Sequence, residues 1–233
     1  MGDFLFNLVL SAEHVVDIFF WLTAFLGSYF MLNKLKENNG SMGSWGLIYV
    51  NRLVRLLPLY MFSMFFFMKF LVLFGGDGPL FYMYQTTTEC SKFWFWHMTF
   101  LNNVVPWSDH DTCMPWTWYL ANDFQFFLIL PLLVQLYHDR TKRKQVFTYV
   151  ILGLLGMCTV IQMVVILANS LSVSYFTYKD EYWSVYYVKP YSRLPVFLVG
   201  VVAGCSYFTF KKEKWEEEEE EANNSSNRIP KIL

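Results

Sequence analysis

The chain has 233 residues and a formal net charge of −1, and it is 55% hydrophobic, 21% aromatic and only 16% charged. Soluble domains carry about 25% charged residues, so this composition excludes an ordinary soluble surface and predicts an integral membrane protein. The lack of excess positive charge argues against a nucleic-acid partner. Four cysteines without a Cys-x-x-Cys pair exclude a disulfide-rich scaffold and a simple zinc or redox motif.

Five segments have the length and apolar character of membrane-spanning helices, which need about 20 residues. The predicted fold class is therefore all-α, a polytopic transmembrane helix bundle with about five spans. In chain order the spans are predicted at about 15–32, 53–74, 116–137, 146–168 and 190–210. Residues 1–210 then form one transmembrane domain. Residues 211–233, with the run Glu216–Glu221, are expected to be a flexible acidic cytoplasmic tail or linker.

The distribution of lysine and arginine predicts the orientation, because cytoplasmic segments are enriched in both. The segments that follow the first, third and fifth spans hold Lys34, Lys36, Arg52, Arg55, Arg140, Lys142, Arg143, Lys144, Lys211, Lys212 and Lys214. The opposite side holds only Lys92, Lys179 and Lys189. We therefore expect the N-terminus outside or in the lumen and the C-terminal tail in the cytoplasm. The pattern does not distinguish the plasma membrane from the endoplasmic reticulum.

Acidic residues open the first span. Glu13, His14 and Asp17 share one helical face. They are either a proton-handling or substrate-binding cluster or a helix start whose acids complement the helix dipole. Glu13 and His14 fit the helix start better. Asp17 lies among apolar residues, where a charge is costly, and is a candidate functional residue.

Two arginines, Arg52 and Arg55, stand on one face at the predicted cytoplasmic entry of the second span. A guanidinium group suits phosphate, so they are candidates for binding a phosphate-rich ligand from the cytosol. Ordinary anchoring to lipid headgroups explains them equally well.

A second set of intramembrane polar candidates lies where the third and fifth spans begin: Tyr119, Asp123, Gln125, Lys189 and Arg193. Asp123 needs a partner at its depth in the membrane, and a pair with Arg193 or Lys189 is sterically reasonable. Such a pair would either serve function or join two helices as a structural ion pair.

Cys90 and Cys113 fall together in the predicted lumenal loop of residues 75–115. That compartment is oxidising, so the two residues form either a disulfide or a pair of free thiols. The same loop contains Ser108-Asp109-His110-Asp111, but adjacent loop residues rarely suffice as metal ligands, and no metal site is predicted. The Gly200-x-x-x-Gly204 spacing predicts close packing against another helix.

Several of these residues carry a family resemblance. The segment from Val16-Asp17-Ile18-Phe19-Phe20 to Leu26 is similar to a motif of the acyltransferase 3 family, and Arg52-x-x-Arg55-x-x-Pro58-x-Tyr60 resembles another. Two more stretches are similar to the animal branch called nose resistant to fluoxetine: Trp116-x-Trp118-Tyr119-Leu120-x-x-Asp123-x-Gln125-Phe126 and Lys189-Pro190-Tyr191-x-Arg193.

The resemblance implies a multi-pass membrane enzyme that transfers an acyl group, other than an aminoacyl group, from cytoplasmic acyl-CoA to a hydroxyl acceptor. Acyl-CoA is then a co-substrate, and no bound cofactor is implied. It also implies a place for Arg52 and Arg55 near the donor. The remaining partners would be membrane lipid and a hydroxyl acceptor whose identity the sequence does not give.

The sequence departs from the family pattern in two respects. The family has about ten spans, and this sequence shows five. The family's catalytic histidine follows an arginine by eleven residues, and none of the four histidines here has that arginine. The catalytic residue is therefore unknown, and the chain is expected to be an incomplete acyltransferase. The alternatives are a transport protein for lipids or small molecules and a non-catalytic fragment that modulates a full-length relative.

Overall fold

The computed structural model describes residues 15–37, 45–74, 81–105, 107, 113–138, 142–171 and 182–227. Within these ranges the regular structure is helical, and the helices are α1 Val15–Glu37, α2 Trp45–Phe74, α3 Phe81–Met98, α4 Trp118–His138, α5 Lys142–Ala168 and α6 Pro190–Asn227. A 3-10 turn, Pro115–Thr117, precedes α4, and a π-helical turn, Trp183–Tyr187, precedes α6. Five of the helices are long and apolar enough to cross a membrane, which confirms the predicted fold class.

Three boundaries differ from the sequence predictions. The second helix begins at Trp45 rather than near residue 53, so Arg52 lies within it and not at its entry. The predicted loop of residues 75–115 contains α3, whose polar run of threonines kept its hydropathy low. The last helix continues through the acidic segment to Asn227. Lysine and glutamate favour helix, and two exposed pairs, Lys212–Glu216 and Lys214–Glu218, link successive turns.

The core of the bundle is built around α4, the most buried of the five spanning helices. Its apolar side chains Phe126, Leu130 and Val134 pack with Phe20 of α1 and Phe197 of α6. Helix α5 lies at the periphery and is largely exposed, as its charge-free stretch Gln145–Ala168 permits in lipid. Helix α2 is also poorly covered, although it carries charged residues.

Helices α1 and α6 approach each other closely at the two spaced glycines. A Cβ atom added to Gly200 would lie 2.5 Å from the carbonyl oxygen of Trp21. One added to Gly204 would lie 2.5 Å from the carbonyl oxygen of Phe25. Both obstacles are backbone atoms, which cannot rotate away. The predicted packing face is therefore confirmed, and it brings the first and last spanning helices together.

We expect Gly204→Leu to destabilise the protein by about 3 kcal/mol, because overpacking a tight contact forces the two helices apart. The matched control is Gly153→Leu in α5, where an added Cβ meets no atom within 4 Å and the change should stay within about 0.5 kcal/mol. Unfolding in detergent, followed by far-UV circular dichroism, measures both. Equal unfolding midpoints for the two variants would contradict the packing assignment.

Candidate functional site

An ion pair between α2 and α4 lies inside the bundle. Arg52 donates to the carboxylate of Asp123, and the two side chains are 20% and 11% exposed. The Arg52 guanidinium also lies 4.0 Å from the centre of the Phe127 ring. Its Nε atom is buried and has no hydrogen-bond partner among the described groups. Arg52 is therefore held by the helix bundle, mainly through Asp123.

A second ion pair joins α1 and α6. Arg193 Nη1 donates to both carboxylate oxygens of Asp17 at 3.0 Å, and its Nε donates to the carbonyl oxygen of Tyr187 at 3.1 Å. The guanidinium lies 4.1 Å from the centre of the Tyr187 ring. Both of these donor atoms are thus engaged by protein groups. Two membrane-embedded acids are matched by two arginines, and each pair links a different pair of helices.

The suggested partner of Asp123 was therefore wrong. The sequence suggested Arg193 or Lys189 as the partner, because both were predicted at a depth similar to that of Asp123. Arg193 binds Asp17 instead. The early start of α2 carries Arg52 to the depth of Asp123. The ring of Tyr119 lies 4.7 Å from that of Phe20 on α1.

A buried amide network lies beside these ion pairs. The Asn103 amide donates to Asn122 at 2.7 Å, and the Gln125 amide donates to Asn103 at 2.8 Å and to the carbonyl oxygen of Phe100 at 2.8 Å. Lys189 is 1% exposed and donates to the carbonyl oxygen of Asn103 at 2.9 Å. These bonds fasten the segment after α3 to α4 and α6.

Arg55 stands apart from its neighbour in the motif. It lies on the outer face of α2, is exposed, and forms no ion pair with another described residue. The sequence placed Arg52 and Arg55 on one face. In the structure Arg52 faces Asp123 on α4, whereas Arg55, three residues later, is exposed on the outer face of α2. Arg55 is consequently the arginine that is available to a ligand at this face of α2.

The two cysteines of the α3 segment form a disulfide, Cys90–Cys113, across 23 residues of chain. Both are buried. Seven residues later on the same face of α3, His97 Nδ1 lies 2.7 Å from the Tyr60 hydroxyl of α2. Asn102 donates to Thr117 at 2.9 Å, and Thr117 donates to the carbonyl oxygen of Met114 at 2.8 Å. The disulfide and His97 together fix α3 to α2 and to the turn before α4.

Burial lowers the pKa of His97 from 6.5 to about 4, so the folded protein holds a neutral imidazole. Between pH 6.5 and about pH 4 the imidazole is protonated in the unfolded chain and neutral in the folded chain. The free energy of unfolding should therefore fall as the pH drops from about 6.5 toward 4. The loss from this group is about 3 kcal/mol at most. His97→Gln should flatten that part of the profile, as thermal unfolding between pH 4 and pH 7.5 would measure. A wild-type profile that stays parallel to the variant's would refute the assignment.

The sequence did not single out His97, Asn102, Asn103 or Asn122. A lone histidine in a loop and scattered asparagines carry no motif, and only their burial in the folded chain identifies them. No group of metal-binding side chains occurs within the residues that the structure describes. Glu13, His14 and the segment 108–111 lie outside those residues.

The arrangement can hold charge inside a membrane and present one arginine, Arg55, on the outer face of α2.

The family model for the acyltransferase domain matches residues 3–217 of this chain. Nose resistant to fluoxetine protein 6 of Caenorhabditis elegans is 30% identical to it over 216 residues, which cover 84% of this chain and 25% of the relative. Regulator of hypoxia-inducible factor 1 of the same organism is 27% identical over 221 residues, which cover 81% and 39%.

No solved structure matches the chain. The chain spans a quarter to two fifths of the length of these two curated relatives. The family match extends over all five spanning helices described above and includes both ion pairs. The chain therefore belongs to the acyltransferase 3 family and is an acyltransferase-like integral membrane protein.

Proposed function

We propose that this protein takes part in transferring an acyl group from cytoplasmic acyl-CoA to a hydroxyl group of an acceptor. The observation that carries the proposal is the family match over residues 3–217 together with the exposed Arg55 in the Arg52-to-Tyr60 motif of α2. An arginine on a membrane-spanning helix is costly when, as for Arg55 among the described residues, no ion pair compensates its charge. A ligand that brings phosphate groups would compensate it with charge-assisted hydrogen bonds.

The two arginines of the motif have different roles in this proposal. Arg55 binds a phosphate group of the donor directly. Arg52 is already bound to Asp123 and fixes the rotation of α2 against α4, so that Arg55 faces outward. Arg52 adds positive charge near the donor, but its main contribution is to position the helix. The lysine and arginine excess predicts that α2 begins on the cytoplasmic side, where acyl-CoA is available, and Arg55 lies ten residues into the helix, about 15 Å from Trp45.

The reaction exchanges the thioester bond of acyl-CoA for an ester bond to the acceptor oxygen. The acceptor hydroxyl loses its proton to a general base, and the CoA thiolate leaves and takes up a proton. We assign that base to no described residue. His97 is neutral, as a base must be, but it is buried and its Nδ1 is engaged by Tyr60.

A second candidate follows from the length of the relatives, of which the chain covers 25% and 39%. In that candidate the chain binds acyl-CoA and modulates a longer relative without transferring the acyl group itself. Transport is less well supported. Asp17, Asp123 and Arg193 are held in ion pairs, and a polar path would need them to face a ligand.

Acyl-CoA binding tests both candidates together. The chain is reconstituted in lipid nanodiscs and titrated with a radiolabelled long-chain acyl-CoA, with unlabelled CoA and free fatty acid as competitors. We expect saturable binding that CoA displaces and fatty acid does not, because the phosphates carry the recognition. Binding that fatty acid displaces equally well would show nonspecific partitioning and contradict the proposal.

A further inference from the structure

The C-terminal half of α2 and the whole of α3 form an antiparallel hairpin. The ring of Phe67 lies 5.4 Å from that of Trp116, just before α4 begins, and α2 continues from there to Phe74. Seven further residues of helix extend about 10 Å. The bond between His97 and Tyr60 shows that α3 returns alongside α2. Helix α2 therefore extends beyond the end of the bundle where α4 begins, while α3 runs back beside α2 to the depth of Tyr60.

This hairpin exposes large aromatic side chains. On α2, Phe62, Phe66 and Phe70 follow one another at one-turn spacing with ring centres 6.5 and 5.2 Å apart. Their exposed fractions are 65%, 45% and 44%. On α3 and before α4, the exposed aromatic residues are Trp94, Phe95 and Trp116. Such side chains bury about 150–250 Å² each when covered, so leaving six of them in water is unfavourable.

The hairpin is held rigidly in this position. The disulfide Cys90–Cys113 ties the middle of α3 to the turn before α4, and His97 ties its end to α2. The aromatic side chains cannot be buried by α3 folding back elsewhere, since both contacts would have to break. What covers them must therefore come from outside the described chain.

The features of the surface favour lipid as its cover. The phenylalanine ladder lies within or beside the membrane-spanning part of α2, Gly46–Phe70, so its surroundings are continuous with the bilayer. Tryptophan is enriched at membrane–water interfaces. The exposed Lys69 stands among the aromatic residues of α2. Its long stem allows the ammonium group to reach a phosphate headgroup while the rings remain in the apolar layer.

We propose that α3 is inserted in the bilayer beside α2, in the leaflet at the end of the bundle where α4 begins, with the exposed aromatic residues of both helices in lipid. The partner is the phospholipid of that leaflet. Helix α3 then lies in lipid alongside a spanning helix and is not part of a water-exposed loop. This inference is independent of acyl transfer, because it rests only on the hairpin geometry and the exposed rings.

Spin-label accessibility tests the proposal in proteoliposomes. Single labels are placed at Phe66→Cys and Phe95→Cys, with Trp94→Cys as a second site on α3, in a background where Cys158 and Cys205 are alanine and the native disulfide is retained. Val160→Cys on exposed α5 gives the lipid reference, and Glu217→Cys on the acidic helix gives the water reference. Collisions with oxygen and with a water-soluble nickel chelate are measured at each label.

We expect the labels on the hairpin to keep oxygen collisions and to lose nickel collisions relative to Glu217→Cys. Nickel collisions at Phe95→Cys and Trp94→Cys equal to those at Glu217→Cys would place α3 in water and overturn the proposal. Loss of both kinds of collision at Phe66→Cys and Phe95→Cys would show a protein partner over the face, which also overturns it. Circular dichroism and a monodisperse elution profile establish that each labelled variant is folded.

Discussion

Arg52→Gln is expected to destabilise the folded chain by about 3–5 kcal/mol, because it leaves the Asp123 carboxylate inside the bundle without its partner. The pair is mostly buried, with side-chain exposures of 20% and 11%. A neutral glutamine side chain in place of the guanidinium could restore one hydrogen bond but not the charge. Chemical unfolding of the chain in detergent measures the change in the free energy of unfolding.

A double-mutant cycle separates the ion pair from other effects of the substitution. Arg52→Gln combined with Asp123→Asn removes both charges and should recover part of the lost stability. Lys69→Gln is the matched control, since Lys69 is an exposed cation on the same helix and its loss should cost less than about 0.5 kcal/mol. If the double variant is no more stable than Arg52→Gln, the two residues do not act as a pair.

Arg55→Gln is expected to weaken acyl-CoA binding about ten- to a hundredfold, since a hydrogen bond between charged groups contributes about 1.5–3 kcal/mol. Stability should change little, because Arg55 is exposed and has no ion pair with another described residue. Nanodisc titration with radiolabelled acyl-CoA measures the dissociation constant.

Lys69→Gln again provides the control for this second prediction. It removes one positive charge from α2, fourteen residues from Arg55 and about 21 Å along the helix. A general electrostatic attraction would weaken in both variants, whereas a site at Arg55 weakens only in the first. Equal dissociation constants for wild type and Arg55→Gln would remove Arg55 from the donor site.

Much of the fold follows from the sequence because a membrane span needs a long apolar run, and the five runs are distinct. Helix α3 was not predicted, because it has no long apolar run. Thr86, Thr87 and Thr88 lower its hydropathy without preventing a helix. The acidic tail was predicted to be flexible from its charge. Charge alone does not prevent helix formation when lysines pair with glutamates one turn later, as Lys212 and Lys214 do.

The site is only partly readable from the sequence. Depth in the membrane identified Asp17 and Asp123 as residues whose charge is costly, and it suggested Arg193 as a partner for Asp123. Which acid meets which arginine depends on the packing of four helices. Helix α2 begins eight residues earlier than predicted, so Arg52 lies within the helix and pairs with Asp123 in place of Arg193.

Acyl transfer itself is the most direct test of the account. Proteoliposomes that contain the chain, alone or with a longer family member, are supplied with acyl-CoA labelled in the acyl group, and the label is followed into esters. We expect label in ester products in the presence of the longer protein, and less when Arg55→Gln replaces the wild-type chain. Saturable acyl-CoA binding without any effect of the wild-type chain on ester formation would contradict a part in acyl transfer.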